Sequence, residues 1–346
     1  MPKDIKVVVL SGGYSPERDV SLVTGSLVAA ALRRKGYPTA LVDVYMPFTG
    51  DFEKAFTLET KEVVKEISTR IPNLEKLKEK YGEGERLIGR GVIELCRHAD
   101  IIYNALHGGM GEDGRLQALF TSLGMKYTGS KFEACHVSMD KSLTKAVLEQ
   151  HNIPTAKYVV LDEMTIPLGI KYPCVIKPCS CGSSVGVSFA ENEKELRKNI
   201  EKAFKYDDKV IIEDKLKGRE FTVAVLFGDA LPIIEIIPKT AFYDYERKYQ
   251  AGATEEICPA PLTKEQETRL KSLAVRAFFA MRLTTYSRFD FILDEETNEF
   301  YCLEGNALPG MTNTSLVPLA AKTADIQYDD LCEKILLDAS VNREVL

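Results

Sequence analysis

The stretch Ile5–Leu10 is apolar apart from Lys6 and is followed at once by Gly12 and Gly13. A short apolar run ended by glycine reads as a strand buried on both faces, and such strands belong to parallel sheets covered by helices. That one feature points the start of the chain to an α/β fold, and the next segments keep the alternation. Val20 to Lys35 reads as a helix, with Val28, Ala29 and Leu32 apolar and a stop at Gly36. Thr39–Val44 reads as a second strand. Asp100–Leu106 reads as a third, running into the Gly-rich turn HGGMGEDG and a helix from Arg115. Residues 1–130 are therefore expected to form a small doubly wound α/β domain. Within them, residues 50–97 are rich in Lys and Glu with weak periodicity and read as helix and loop.

A helix from Ser138 to Gln150 opens the next part and ends before Pro154. Lys157–Leu161, Pro173–Lys177 and Val210–Glu213 read as strands. Asn192 and Glu195 suggest a capping box for a helix with Leu196, Ile200, Ala203 and Phe204 on its apolar face. With a boundary near Gly218, these elements make a central domain over 131–217. The last domain, 218–346, begins with the long strands Glu220–Phe227 and Ala230–Pro238. A helix capped by Thr263 and Gln266 comes next, carrying Leu270, Leu273, Ala274, Ala277, Phe278 and Met281 on one face.

Composition narrows the function classes. The 346 residues are 45% hydrophobic and 28% charged, with a net charge of −6, which gives no basic surface for tracking nucleic acid. The first apolar run is too short for a signal segment or a membrane span. The eight cysteines show no paired CxxC motifs, and the histidines are not at zinc spacing from them. Cys179-Ser180-Cys181 reads better as reduced thiol than as metal ligand. A cytoplasmic protein is expected.

The chemistry-bearing residues concentrate at 286–315. Tyr286–Leu293 and Phe300–Asn306 read as two antiparallel strands around DEETNE. Side chains alternate faces along a strand, so Arg288 and Asp290 share one face, as do Glu304 and Asn306. With a loop of Glu295–Glu299, Asp290 lies opposite Glu304, and Arg288 opposite Asn306. Two carboxylates and an amide oxygen at this spacing suit Mg²⁺; a solvated hairpin with a cross-strand ion pair is the alternative the residues alone leave open. The turn at 307–312, Ala-Leu-Pro-Gly-Met-Thr, has backbone N–H groups that can face an anion, and Ser315 adds a hydroxyl. A second signal is IKPCSCGSSVGV, residues 176–187, where a strand delivers Lys177 to a Gly/Ser loop able to cover phosphates. A plain hairpin loop is the competing reading. The loop is not a P-loop, because Lys precedes the glycines, and SGGYSPE does not fit G-x-G-x-x-G.

Together these pieces resemble the D-alanine–D-alanine ligase family of the ATP-grasp superfamily. The likeness runs in order along nearly the whole chain: SGGYSPERDVS, ALHGGMGEDG at 105–114, MDKSLTK at 139–145, KPCSCGSSVGV, EDKLKGREFTVAV at 213–225, FYDYERKY at 242–249, SRFDFIL and LEGNALPGMTNTSLVP. It implies a three-domain α/β ATP-grasp architecture and ATP-dependent joining of two D-alanines through an acylphosphate, for peptidoglycan precursors. It also implies ATP as co-substrate, two Mg²⁺ ions for which Mn²⁺ can substitute, and a homodimer through the N-terminal domain.

Carried over residue by residue, the resemblance places Lys141 and Lys177 at the ATP phosphates and Glu213 by the adenine. The Asp214–Leu216 backbone lies at the hinge edge, Glu220 at the ribose, and Lys248 also on the ATP side. Asp290, Glu304 and Asn306 hold the two metals. Glu17 faces the ammonium of the first D-alanine, with His107 nearby. Arg288 and the Gly310 N–H face the reacting carbonyl oxygen, and Ser315 and Leu316 border the second D-alanine. Ser183 and Tyr249 link the substrate site to its covering loops.

Three departures from the family pattern stand out: Gly305 where an apolar residue is usual, Cys181 where an acidic one is usual, and the charged stretch 50–97. Lys248-Tyr249 and Leu316 favour D-alanine as acceptor over D-lactate or D-serine, and the full set of metal and phosphate residues disfavours a non-catalytic nucleotide-binding paralogue.

Overall fold

The computed structural model describes residues 3–60, 72–182, 185–238 and 254–340. In chain order its elements begin with β1 (Val7–Ser11), α1 (Arg18–Arg34), β2 (Thr39–Asp43), α2 (Leu74–Tyr81), α3 (Val92–Arg97), β3 (Ile101–Asn104), α4 (Arg115–Ser122), α5 (Phe132–Met139) and α6 (Lys141–Gln150). Next come β4 (Tyr158–Leu161), β5 (Cys174–Pro178), β6 (Ser188–Ala190), α7 (Glu193–Ala203), β7 (Val210–Asp214), β8 (Gly218–Leu226), β9 (Asp229–Ala230), β10 (Ile234–Pro238) and β11 (Thr254–Ile257). The series ends with α8 (Lys264–Ala280), β12 (Tyr286–Asp294), β13 (Phe300–Asn306), α9 (Leu316–Thr323) and α10 (Tyr328–Ser340). The chain forms two compact units. One comprises Met1–Cys135, Thr284–Tyr286 and Ala307–Leu346; the other comprises His136–Leu283 and Ser287–Asn306. No helix among the described residues is long and apolar enough to cross a membrane.

In the first unit β2, β1 and β3 make a parallel sheet in that order. The period of two along β1 splits its apolar run between two layers. Val8 and Leu10 join Ala40, Val42 and Ile102 in a core with Val92 and Leu95 of α3 and Leu116 and Phe120 of α4. Phe52 and Phe56, from the charged stretch, pack on the same core. The opposite face is covered by α1, so closely that a Cβ on Gly25 would lie 2.5 Å from the Ser11 Cβ. Helices on both faces make the sheet doubly wound, as the sequence implies. The last helix, α10, also belongs to this unit: it contacts α1 and β3 and buries Leu331, Cys332, Ile335 and Leu336. Ion pairs of Arg34 with Asp329 and Lys35 with Asp330 tie it to the end of α1.

The second unit carries two sheets. The smaller is antiparallel, β4–β7–β5–β6, with α7 on one face over Leu161, Cys174, Ile176, Val210 and Ile212. Asn192 caps α7 by accepting the Glu195 N–H at 3.1 Å. The Glu195 carboxylate accepts the N–H of Glu191 instead of returning to the Asn192 backbone, so the expected capping box is only half formed. The larger sheet runs β11–β10–β8–β12–β13, with β9 beside β8. Its covering helix, α8, begins with the expected Thr263–Gln266 capping box.

Candidate functional site

Strand order β2–β1–β3 reverses direction at β1, and the carboxyl ends of strands at such a switch point form the crevice where open α/β sheets bind ligands. The loops after β1 and β3 meet there. The first, Gly12 to Glu17, needs Gly12 at a φ of +69°, and a Cβ there would sit 2.6 Å from the Asp43 carboxylate. Arg18 braces the loop by donating to the Gly13 carbonyl at 2.9 Å while pairing with Asp43. Glu17, just before α1, reaches the second loop: its Oε2 would be 2.8 Å from a Cβ on Gly108, which has a φ of +67°. Only glycine combines that backbone with that approach.

The second loop is held by amide side chains. Asn104 and Gln117 both donate to the Gly111 carbonyl, at 2.9 and 2.7 Å. His107 is buried, with Nε2 at 2.9 Å from the Thr24 hydroxyl and Nδ1 at 3.5 Å from Glu112 Oε1. Burial pushes the Glu112 carboxyl up, His107 opposes this, and the nearby Glu17 charge adds to it; the net direction is upward. Sequence reasoning places Glu17 and His107 here and misses Glu112, whose signal lies in the GEDG of the same turn. Two carboxylates around a histidine at a switch point suit a small ligand bearing an ammonium group. Elsewhere in this unit Gly310, Ser315 and Leu316 come together. A Cβ on Gly310 would lie 2.8 Å from Ser315 Oγ, which accepts the Thr312 N–H at 3.0 Å, and Leu316 starts α9.

In the second unit the hairpin β12–β13 pairs Arg288 with Asn306 and Asp290 with Glu304, as the alternation predicts. The route to that register differs from the prediction. Leu293 pairs with Phe300 and the Asp294 N–H donates to the Glu299 carbonyl, so the loop is one residue shorter than expected. A bulge beyond Asp290 skips Leu303 and restores the register at the site. Arg288 donates to both oxygens of Asp290, at 3.0 and 2.8 Å, and the buried Thr222 hydroxyl of β8 donates to Asp290 Oδ1 at 2.6 Å. Among the described residues no three His, Cys, Asp or Glu side chains form a metal cluster. The donor set here is two carboxylates and one amide oxygen. That set suits a hard cation sharing its coordination with phosphate oxygens, so Mg²⁺ fits these residues.

The face of the smaller sheet away from α7 carries Tyr158, Val160, Val175, Lys177, Phe189, Ile211 and Glu213, by alternation with the core positions. Lys177 donates to Glu213 Oε2 at 2.9 Å. Burial lowers the Lys177 ammonium, but Glu213, Glu304 and Glu220 outweigh it and hold its pKa up. Lys177 and Glu213 are thus in direct contact, while Glu220 and Glu304, from the larger sheet of the same unit, add to the negative charge that favours the ammonium. Burial likewise opposes charge on Glu213, yet Lys177 and Lys145 bring its carboxyl below the ordinary value. Asp214 ends β7, its N–H donating to the Lys157 carbonyl at 2.9 Å, and Leu216 is half-buried in the link to β8. Lys141, in the first turn of α6, donates to the Cys181 carbonyl at 2.7 Å. At the position of the missing acid, the Ser180 N–H is taken by the Asp207 carboxylate at 2.5 Å, and the Cys181 thiol faces the Tyr206 carbonyl at 3.8 Å. Ser183, Lys248 and Tyr249 lie outside the described residues.

Family models, curated relatives and solved structures all match this chain over most of its length. The family model described as D-ala D-ala ligase N-terminus matches residues 6–130, and the one described as D-ala D-ala ligase C-terminus matches residues 145–337. A D-alanine–D-alanine ligase of Pediococcus pentosaceus is 38% identical over 342 residues, covering 96% of this chain and 97% of the relative. One from Syntrophotalea carbinolica is 37% identical, covering 98% and 97%. The crystal structure of the Bacillus anthracis D-alanine–D-alanine ligase complexed with ATP superposes with a TM-score of 0.76 at 28% identity, covering 98% of this chain and 97% of that one.

Proposed function

This chain belongs to the D-alanine–D-alanine ligase family, and from that premise we infer that it joins two D-alanines into a dipeptide at the expense of ATP, supplying peptidoglycan synthesis. D-lactate and D-serine as acceptors, and a non-catalytic paralogue, are not favoured. The observation that carries the reading is the hairpin register, which puts Arg288, Asp290, Glu304 and Asn306 in facing pairs with the Lys177 ammonium under the influence of Glu304.

A carboxylate does not condense with an amine in water, so one D-alanine is first phosphorylated by ATP, a step governed by positioning and charge neutralisation. Lys141 and Lys177 bring positive charge to the phosphates, Glu213, Asp214 and Leu216 border the base, and Glu220 binds the ribose. Asp290, Glu304 and Asn306 would hold two Mg²⁺ or Mn²⁺ ions, which would supply positive charge to offset that of the phosphates. Glu17 takes the ammonium of the first D-alanine, with His107 beside it. Arg288 and the Gly310 N–H stabilise the oxyanion formed when the second amine attacks; one such donor is worth about 3–4 kcal/mol. Ser315 and Leu316 border the second D-alanine. Ser183, Lys248 and Tyr249 keep the roles the resemblance gives them, and the chemistry requires that water be kept from the acylphosphate.

The division at 130/131 and 217/218 is retained as a proposal, its support being one parallel and two separate sheets. A homodimer and a cytoplasmic location are likewise proposed from family membership. The test is phosphate release from ATP and Mg²⁺ with and without D-alanine, with products read by mass spectrometry in mixtures containing D-lactate or D-serine. D-alanine-dependent release and D-alanyl-D-alanine as product are expected; release indifferent to D-alanine refutes the reading.

A further inference from the structure

The MDKSLTK stretch contains a second lysine, Lys145, to which the ligation chemistry gives no part. It lies one turn after Lys141 on α6 and is fully buried. Its ammonium donates to the Thr155 hydroxyl at 2.7 Å and to the Ala156 carbonyl at 3.4 Å. The Thr155 hydroxyl in turn donates to the Cys302 carbonyl at 2.8 Å, two residues before Glu304. The remaining direction of the ammonium faces Glu213, with Nζ 3.5 Å from Oε1. That is an ion pair without hydrogen-bond geometry: Oε1 is buried and has no hydrogen-bond partner, whereas Oε2 takes Lys177. An isolated ammonium is costly to bury, and an apolar side chain of the same length fills such a place more cheaply. What Lys145 adds is a second positive charge on Glu213 besides that of Lys177, leaving one ionised oxygen able to accept a hydrogen bond and unable to donate one.

We propose that Lys145 is a positioning residue for recognition of the nucleotide base, fixing Glu213 as an obligate acceptor for the exocyclic amino group of a 6-aminopurine. The proposal rests on the ligase reading, which puts Glu213 by the base. A 6-oxopurine offers an acceptor at that place and meets the same carboxylate with repulsion. Weakening the Lys145–Glu213 link lets the carboxyl take up a proton or turn away, and discrimination between the two bases falls.

The test compares ATP with inosine triphosphate in the D-alanine-dependent reaction of the full chain, and their direct binding by calorimetry with Mg²⁺ present. Wild type is expected to prefer ATP. Lys145→Met is expected to cut that preference by about tenfold or more, the scale of one hydrogen bond to a charged group, through the KM for ATP with a smaller change in kcat. In a Glu213→Gln background the same substitution is expected to change the preference no further, because the two residues act as one unit. Thr155→Val, which removes the oxygen that orients Lys145, is expected to move the preference the same way by less, and it carries the test if Lys145→Met does not fold. Equal weakening of both nucleotides by Lys145→Met, or an unchanged preference in Thr155→Val, overturns the proposal while leaving the ligase reading intact. Failure of wild type to bind either nucleotide overturns the ligase reading itself.

Discussion

Gly305→Ala tests how the metal-binding hairpin is held. Gly305 sits between Glu304 and Asn306 on β13, and its carbonyl accepts the Ser138 hydroxyl at 2.5 Å. A Cβ there would lie 2.6 Å from Cε1 and 3.0 Å from Cδ1 of Phe289, and 3.2 Å from Met281 Sδ. Non-bonded carbons settle at about 3.5–4.0 Å, so the ring would have to retreat by roughly 1 Å. Phe289 and Met281 are buried, so the movement passes into β12 and α8. Overpacking of this kind costs about 1–3 kcal/mol. At about 2–4 °C per kcal/mol for a chain of a few hundred residues, Tm should fall by roughly 2–12 °C. The flanking donors Glu304 and Asn306 shift with the strand, so kcat/KM should fall as well. Phe289→Leu removes the ring atoms in conflict, and the double variant should be more stable than the sum of the two single losses predicts, a coupling of about 0.5–3 kcal/mol between contacting residues. Thermal unfolding followed by circular dichroism, with phosphate release measured on the same preparations, reads both effects. A Gly305→Ala protein with wild-type Tm and kcat/KM, or strictly additive losses in the double variant, refutes the argument that Phe289 and Met281 occupy the space of the side chain usual at this position.

Other substitutions separate the parts of the site. Glu304→Ala should abolish D-alanine-dependent phosphate release, and retained turnover refutes its role as a metal ligand. Thr222→Val removes the hydroxyl that donates to Asp290 Oδ1 at 2.6 Å; a Mn²⁺ titration with ADP present, followed by electron paramagnetic resonance, should show affinity about tenfold weaker, with Thr222→Ser near wild type. Glu213 is held below the usual 4.5 by Lys177 and Lys145 against the effect of burial. A carboxyl depressed in the folded state contributes stability that is fully present above its unfolded value and lost as pH falls through the folded one. Glu213→Gln should therefore have a lower urea midpoint than wild type at pH 7, with the gap closing as pH falls below about 4; a gap that is constant with pH counts against the ionised pair.

Elements whose side chains repeat with a clear period are legible in the sequence. The β1 run and the α1 apolar face locate themselves because strand and helix periods separate buried from exposed positions residue by residue. The same logic puts Asp290 opposite Glu304. It reaches that register through a loop one residue too long, and the Leu303 bulge supplies the missing residue. Periodicity sees which face a residue is on; it does not see a bulge, because a skipped residue leaves polar and apolar positions in nearly the same order. Glu112 escapes for a different reason. It lies in a Gly-rich turn without periodicity; its nearness to His107 is set by how that turn folds back on itself, and its nearness to Glu17 exists only once the two switch-point loops have met. The return of α10 to β3 and α1 is equally non-local, and a helix near the end of the sequence gives no sign of which unit its apolar stripe will cover.

Gly305 and Lys145 carry this one step further. Taken locally, a glycine within a strand is a weakness and a lysine on a helix is a solvated charge. Here the glycine makes room for Phe289 and Met281, and the lysine is buried against Thr155 and Glu213. Both depend on partners outside their own element, both sit beside residues assigned to metal or nucleotide, and neither fits its local rule. Sites are where local rules are expected to give way, because the geometry required by a ligand is satisfied at the expense of local preference. Had these two residues been structural irregularities without function, their surroundings would be ordinary core groups alone. Instead the surroundings lead to Glu304 and Asn306 on one side and to the orphaned oxygen of Glu213 on the other.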